Sequence, residues 1–323
     1  MSLDFTTARQ GKHFQDLSQW LGVETSASEF ICTIANGDGP NVVLLGGVHG
    51  DEYEAQIVLR RLAERLDPDQ ISGRLTIIPS INFPASQAGG RISREDGQNM
   101  NRVFPGKEDG TPTERLAQLF TDVILPGTDL LIDAHAGGEG VTVVPMIFGF
   151  SGAGCSFDMA RVTAIMESWG YGIVQHVTGV PSTACGIALD REVSSIEIEG
   201  GGGGRLDPRE VEIMEAGILR GLAASGVMTP VLPELPFHGV HVTAGDENRV
   251  LAPEPGLIEH VVSLGDIVAA GQTVALLHPI GGETSAPKPL ASAVPGLVLR
   301  QSDQVFAQQG ALVMNTGTMR GEG

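Results

Sequence analysis

A chain of 323 residues with 39 acidic against 20 basic side chains carries a formal charge of -19. That charge repels nucleic-acid phosphates and anionic lipid surfaces, so neither is expected as a partner. Hydrophobic residues make up 41% of the chain, enough for a sizeable core, yet no run of about 18 apolar residues offers a membrane span. The start lacks the basic-then-apolar order of a signal peptide, and Cys32, Cys155 and Cys185 form no Cys-x-x-Cys pair. A soluble cytoplasmic protein without disulfides or a thiolate zinc site is expected.

In chain order, residues 1–36 read as a lead-in, with the alternating Phe30-Ile31-Cys32-Thr33-Ile34 as an edge strand before a glycine turn. The apolar run Val42 to Leu45 predicts a short buried strand. It is followed by Gly46-Gly47-Val48-His49-Gly50-Asp51-Glu52 and by a helix over about 54–66, whose Ile57, Val58, Leu62 and Leu66 share a face. A strand over Leu75 to Pro79 completes a parallel crossover. Further helices are predicted over about 113–123, 159–169 and 208–224, the last opened by Asp207 as N-cap and Pro208 at the first helical position. Strands are predicted over Leu130 to His135 and Val193 to Glu199. The whole of 1–229 is therefore expected to be one α/β unit.

The texture then changes. Residues 230–237 form a proline-punctuated linker, and from His238 to 323 short β runs alternate with glycine turns, predicting a small all-β domain. Its strands are expected at 241–243, 250–251, 256–262, 272–277 and 297–300. It resembles the biotinyl/lipoyl barrel-sandwich in fold only, because no lysine stands at the tip hairpin.

The chemistry concentrates at predicted strand ends, where loops of an α/β sheet converge. His49 and Glu52, spaced His-x-x-Glu, can present an imidazole and a carboxylate to one ion, but a catalytic zinc takes three protein ligands. His135 ends a strand, is followed by glycines, and is the best third donor, with Asp133 on the same face to orient an imidazole. The remaining histidines, His176, His238, His241, His260 and His278, read as surface or domain-contact residues. Arg91, Arg94 and Arg102, with Asn101, crowd a glycine-bounded loop suited either to gripping a carboxylate or to pairing with Glu95 and Asp96. Glu197 and Glu199 share one face of a strand that leads into five glycines, and either can be a general base.

Together, Gly-Gly-Val-His49-Gly-Asp-Glu52, Arg91, Asn-Met-Asn101-Arg102-Val-Phe-Pro-Gly, Asp-Ala-His135-Ala-Gly-Gly and Glu197 before the glycine run resemble the succinylglutamate desuccinylase/aspartoacylase family. That resemblance spans most of residues 40 to 225. It implies a zinc carboxypeptidase-like mixed sheet flanked by helices, and one zinc ion per chain held by His49, Glu52 and His135. Arg91 would polarise the scissile carbonyl, while Asn101 and Arg102 would grip the substrate carboxylate. Arg94, where relatives often have proline, is a further substrate contact or a surface residue. The family pattern Glu-x-Gly assigns the base to Glu197. Here Glu199 takes the glycine position and stays as the alternative.

The implied reaction is hydrolysis of a small N-acyl amino acid, acetyl or succinyl in type. The loop from Arg91 to Gly106 looks most like that of deacetylases acting on N-acetyl-diaminobutyrate in ectoine breakdown. The alternatives are a carboxypeptidase-like metallopeptidase acting on short peptides, a non-catalytic small-molecule binding protein on the same fold, and a structural role for the β domain. None of these readings excludes a homo-oligomer.

Overall fold

The computed structural model describes residues 10–17, 29–177, 181–280 and 286–320. In the α/β part the order is β1 (Gly11–Asp16), β2 (Phe30–Asn36), β3 (Asn41–Gly46), α1 (Tyr53–Arg65), β4 (Gly73–Ile78), α2 (Phe83–Ala88), α3 (Pro112–Leu119), β5 (Leu130–Ala134) and β6 (Val141–Phe150). It continues through α4 (Met159–Ser168), β7 (Ile173–His176), α5 (Ala184–Asp190), β8 (Ser194–Gly202) and α6 (Pro208–Ser225). The β-rich remainder holds β9 (Val240–Thr243), β10 (Arg249–Leu251), β11 (Gly256–His260), β12 (Ile267–Val268), β13 (Thr273–Pro279), β14 (Lys288–Ala291), β15 (Gly296–Ser302), β16 (Phe306–Ala307) and β17 (Leu312–Met319). The elements expected from periodicity lie within a few residues of these bounds. The helix expected to 123 continues past α3 as a π-helical turn, Phe120–Ile124.

The centre of the main sheet is the parallel set β4-β3-β5-β8, with β2 antiparallel to β4 and β6 antiparallel to β8. Parallel strands need covering on both faces, and β3 shows how its sequence meets that need. Val42 and Leu44 pack into one core with Val58, Leu62, Trp169 and Leu222 from α1, α6 and the end of α4. Val43 and Leu45 point the other way, into a core with Leu116, Phe120 and Ile187 around α3 and α5. The α4–α6 contact is close because α6 presents glycines: a Cβ at Gly221 would lie 2.0 Å from the Trp169 ring.

Two features depart from the local pattern. The strand expected at an edge, β2, lies between β1 and β4, since β1 covers it; the lead-in around β1 falls partly outside the described residues. Strands β1, β6 and β7 and helices α2 and α5 are not among the expected elements, and Pro145 interrupts β6. The ladder to β8 is irregular between Val143 and Met146, so the missing N–H sits at a bulge, where a sheet tolerates proline.

Beyond residue 238 a four-stranded antiparallel sheet, β14-β13-β11-β16, packs over a core that includes Val274, Leu277, Val298 and Met314. The other strands do not stand apart from the α/β part. β15 pairs with the first half of β6, and β9 pairs with both β7 and β17, so the main sheet runs without a break into the C-terminal region. At this joint His176 stacks on His241, with centroids 5.6 Å apart and planes at 2°, and His241 Nε2 lies 3.1 Å from Glu167. No helix among the described residues is long and apolar enough to cross a membrane.

Candidate metal centre

The carboxyl ends of β3 and β5 lie side by side, Gly46 opposite Ala134. The chain leaves β3 through Gly47, at φ 63°, where a Cβ would fall 2.6 Å from Ser80 Oγ. Glycine alone allows this turn, which puts His49 above the sheet. Glu52 follows at the N-cap position of α1 but makes no cap hydrogen bond. Its carboxylate is engaged elsewhere: Oε1 is 2.8 Å from His49 Nδ1, and Oε2 is 2.7 Å from His135 Nδ1. Arg91 Nη1 donates to Oε1 at 2.9 Å. A helix that gives up its cap for such contacts is a local rule broken at a site, and the positive end of α1 favours the ionised carboxylate held there.

One donor atom from each of His49, Glu52 and His135 lies within 4.8 Å of the others, and all three residues are buried. On the far side of each ring, His49 Nε2 is 3.2 Å from Asn99 Oδ1, and His135 Nε2 is 3.0 Å from Asp133 Oδ2, a charge contact outside hydrogen-bond geometry. Both rings turn Nδ1 toward the Glu52 carboxylate. The donor set of two imidazoles and one carboxylate suits zinc. Burial alone would raise the Glu52 carboxyl, but the flanking His49 and His135 outweigh it and hold Glu52 well below the usual carboxylate range. Burial would lower the His135 imidazole, yet Asp133 and Glu52 together raise it well above its ordinary value.

The two glutamates of β8 occupy different levels. In register, Asp133 faces Glu197 across the β5–β8 ladder, and the His135 N–H donates to the Ile198 carbonyl, which sets Glu199 beside His135. Carboxylate oxygens of Glu197 and Asp133 lie within 4.8 Å of each other and of Cys185 Sγ, beneath α5. Burial raises the Glu197 carboxyl to about 7, helped by Glu199 and Asp133 and opposed by His135. Glu199 is also raised, first by burial and then by Glu52, against the opposing pull of Arg300, His135 and Arg91. Its Oε1 accepts from Arg300 Nη2 at 3.1 Å, while Oε2 is buried with no hydrogen-bond partner.

The polar loop divides. Arg91 touches the triad directly and is half exposed, its side chain 45% accessible. Asn101 is buried and its Oδ1 accepts from the Ala184 N–H at the start of α5, anchoring the loop. Arg102 is exposed, and its guanidinium donates to the Asn101 carbonyl at 2.6 Å. Arg94 is exposed and pairs with no acid among the described residues. Sequence reasoning missed Asn99 and Arg300. Asn99 stands in the quoted Asn-x-Asn and could have been found there, whereas Arg300 lies 101 residues from its partner Glu199 and carries no local signal.

The sequence signature of the succinylglutamate desuccinylase/aspartoacylase catalytic domain covers residues 38–225. N-alpha-acetyl-L-2,4-diaminobutyric acid deacetylase of Halomonas elongata is 32% identical over 269 residues, 80% of this chain and 76% of the relative. The crystal structure of succinylglutamatedesuccinylase/aspartoacylase from Rhodobacter sphaeroides matches with a TM-score of 0.88 at 31% identity, over 99% of both chains. The product-bound ectoine utilization protein EutE (DoeB) of Ruegeria pomeroyi matches at 0.87 and 28%, over 98% of both. By signature, identity and fold, the chain belongs to the succinylglutamate desuccinylase/aspartoacylase family and is a hydrolase.

Proposed function

We propose that this chain is a zinc-dependent amidohydrolase that removes a small acyl group, acetyl in the first instance, from an N-acyl amino acid. The observation that carries this reading is the convergence of His49, Glu52 and His135 at one sheet edge, beside a buried, unpartnered carboxylate oxygen of Glu199. His49 and His135 would hold the metal through Nδ1, and Glu52 through its carboxylate. When bound, zinc supplies a Lewis acid able to bring the pKa of a water toward ~7 from ~15.7.

The chain's own groups do the rest. Of the two β8 glutamates the register favours Glu199 as base, because it stands beside His135 while Glu197 lies two residues earlier on the strand, beside Asp133. Glu199 Oε2 takes a proton from the attacking water, a C–O bond forms at the acyl carbon, and the same carboxyl returns the proton to the leaving nitrogen as the C–N bond breaks. The products are a carboxylate and a free amino acid. Arg91, at the mouth of the site, polarises the acyl oxygen. Asn101 and Arg102 grip the substrate's carboxylate, with Arg94 as an outer contact. Three arginines between residues 91 and 102 make a cationic lip on a chain of charge -19, which suits an anionic substrate. The relatives' deacetylase and ectoine-utilization names support the acetyl choice. We read residues 1–229 as the catalytic unit and 238–323 as an appended β unit.

The test is a panel of N-acetyl, N-succinyl and N-formyl amino acids, N-acetyl-diaminobutyrate among them, with short peptides as controls and the zinc content of each preparation measured. Release of a free amino acid from an N-acetyl substrate, lost in Glu199→Gln, is expected. Turnover of peptides alone would make the chain a carboxypeptidase-like enzyme, and no turnover with no zinc would leave a binding protein.

A further inference from the structure

Arg300 belongs to β15, in the β-rich region, yet its guanidinium reaches the candidate base. Its backbone is held for this: Arg300 pairs in register with Val143 of β6, and Met146 of the same strand pairs with Glu199 on β8. The irregularity between Val143 and Met146, around Pro145, separates the two registers and sets the arginine across β6 from the glutamate. Arg300 Nη2 donates to Glu199 Oε1 at 3.1 Å, and the guanidinium carbon stands 5.7 Å from the Phe148 ring centroid. Beyond it opens a cavity of about 460 Å³, also lined by Met146, Phe148, Gln175, Asp246 and Arg249. Asp246, the acid that lines this cavity, pairs with Arg249 instead, at 3.4 Å. Arg300 is thus committed to Glu199.

We propose that Arg300 is a positioning residue for the hydrolysis: it fixes one oxygen of Glu199 so that the other, buried and without a partner, stays aimed for proton transfer. The inference rests on reading Glu199 as the base. A charged donor on Oε1 restricts the carboxylate to one rotamer and favours its ionised form. The C-terminal β region would then complete the site with a single side chain that touches neither substrate nor metal.

A double-mutant cycle tests it, using Arg300→Met, Arg300→Lys, Glu199→Gln and the Glu199→Gln/Arg300→Met pair, on enzyme of measured zinc content and melting temperature. Loss of an outer partner of a site typically costs roughly 10- to 100-fold in activity. Arg300→Met is therefore expected to lower kcat by that factor with KM nearly unchanged, and to move the acid limb of the kcat/KM profile to higher pH. Arg300→Lys should recover part of the loss, keeping the charge without the planar fork. In the double variant the arginine change should be silent within about twofold, because it acts only through Glu199.

Equal losses from Arg300→Met with and without Glu199 would overturn the inference and leave the base reading intact. A rise in KM alone would also overturn it and make Arg300 a substrate contact. A fully active Glu199→Gln would bring down the base reading itself, and this inference with it. Should Arg300→Met lose its melting transition, Arg300→Gln takes its place in the same cycle.

Discussion

His49, His135 and Glu199 ride on or just beyond β3, β5 and β8, adjacent strands that are each hydrogen-bonded on both sides. Arg300 arrives instead from β15, which pairs with the α/β part along the first residues of β6 and packs Leu299 into a small core with Met146, Phe148 and Phe150. The first three positions are therefore fixed by a continuous ladder and two large cores, and the fourth by a short pairing and a small core. Metal ligation needs the first kind of support, because donor atoms must converge within a few tenths of an ångström. Positioning a carboxylate needs less, since a long arginine adjusts to its partner. On the proposed reading, metal binding falls to the parallel sheet and the positioning of the base to the C-terminal region.

Substitutions in the sheet region should have the largest effects. Glu52→Ala removes the carboxylate that joins both imidazoles, and is expected to lower activity by on the order of 10³-fold or more, with zinc content falling in parallel; retained zinc at wild-type stoichiometry would move the metal site elsewhere. Next, Glu199→Gln should reduce kcat by about 10²- to 10⁴-fold, the usual worth of a general base, while zinc stays bound. Glu197→Gln should do much less, and the opposite order in steady-state kinetics would hand the role to Glu197. A smaller effect is expected of Asp133→Asn, which keeps shape but weakens the contact to His135 Nε2. Zinc affinity should drop by about 10- to 100-fold, read by chelator competition.

The smallest expected effect concerns pH and reads Glu197 through stability. A carboxyl raised to about 7 in the folded protein binds its proton more tightly there than in the unfolded chain, where the ordinary value is ~4.3. Its contribution is fully present below the unfolded value and is lost as pH rises through about 7. Melting temperature should accordingly fall between about pH 4.3 and 7 in the wild type, and Glu197→Gln should flatten that slope. An unchanged slope in differential scanning calorimetry would mean that Glu197 does not titrate in this range.

Much of this was legible along the chain. Apolar runs with a period of two or of 3.6 located β3, β5, α1 and α6, and Asp207 with Pro208 fixed the start of α6. Strand ends followed by histidine and glycine located His49 and His135, and two-residue spacing put Asp133 on the face of His135. These readings succeed because periodicity and turn chemistry are local. Strand β6 was hidden by Pro145, whose cost to a ladder is local while the bulge that absorbs it depends on a partner strand.

By itself, then, the sequence determined the α/β class and the family resemblance, and it named His49, Glu52 and His135 as candidate donors and two glutamates as candidate bases. The tertiary structure alone decided that Glu199 stands beside His135 while Glu197 faces Asp133, that Asn99 holds the far side of His49, and that Arg300 reaches Glu199. Each depends on register or contact between segments far apart in the chain. A one-residue slip of β8 would turn both glutamates to the opposite face, and no local pattern fixes that register. It is set by the cores on the two faces of the sheet, which form only when the whole chain has folded.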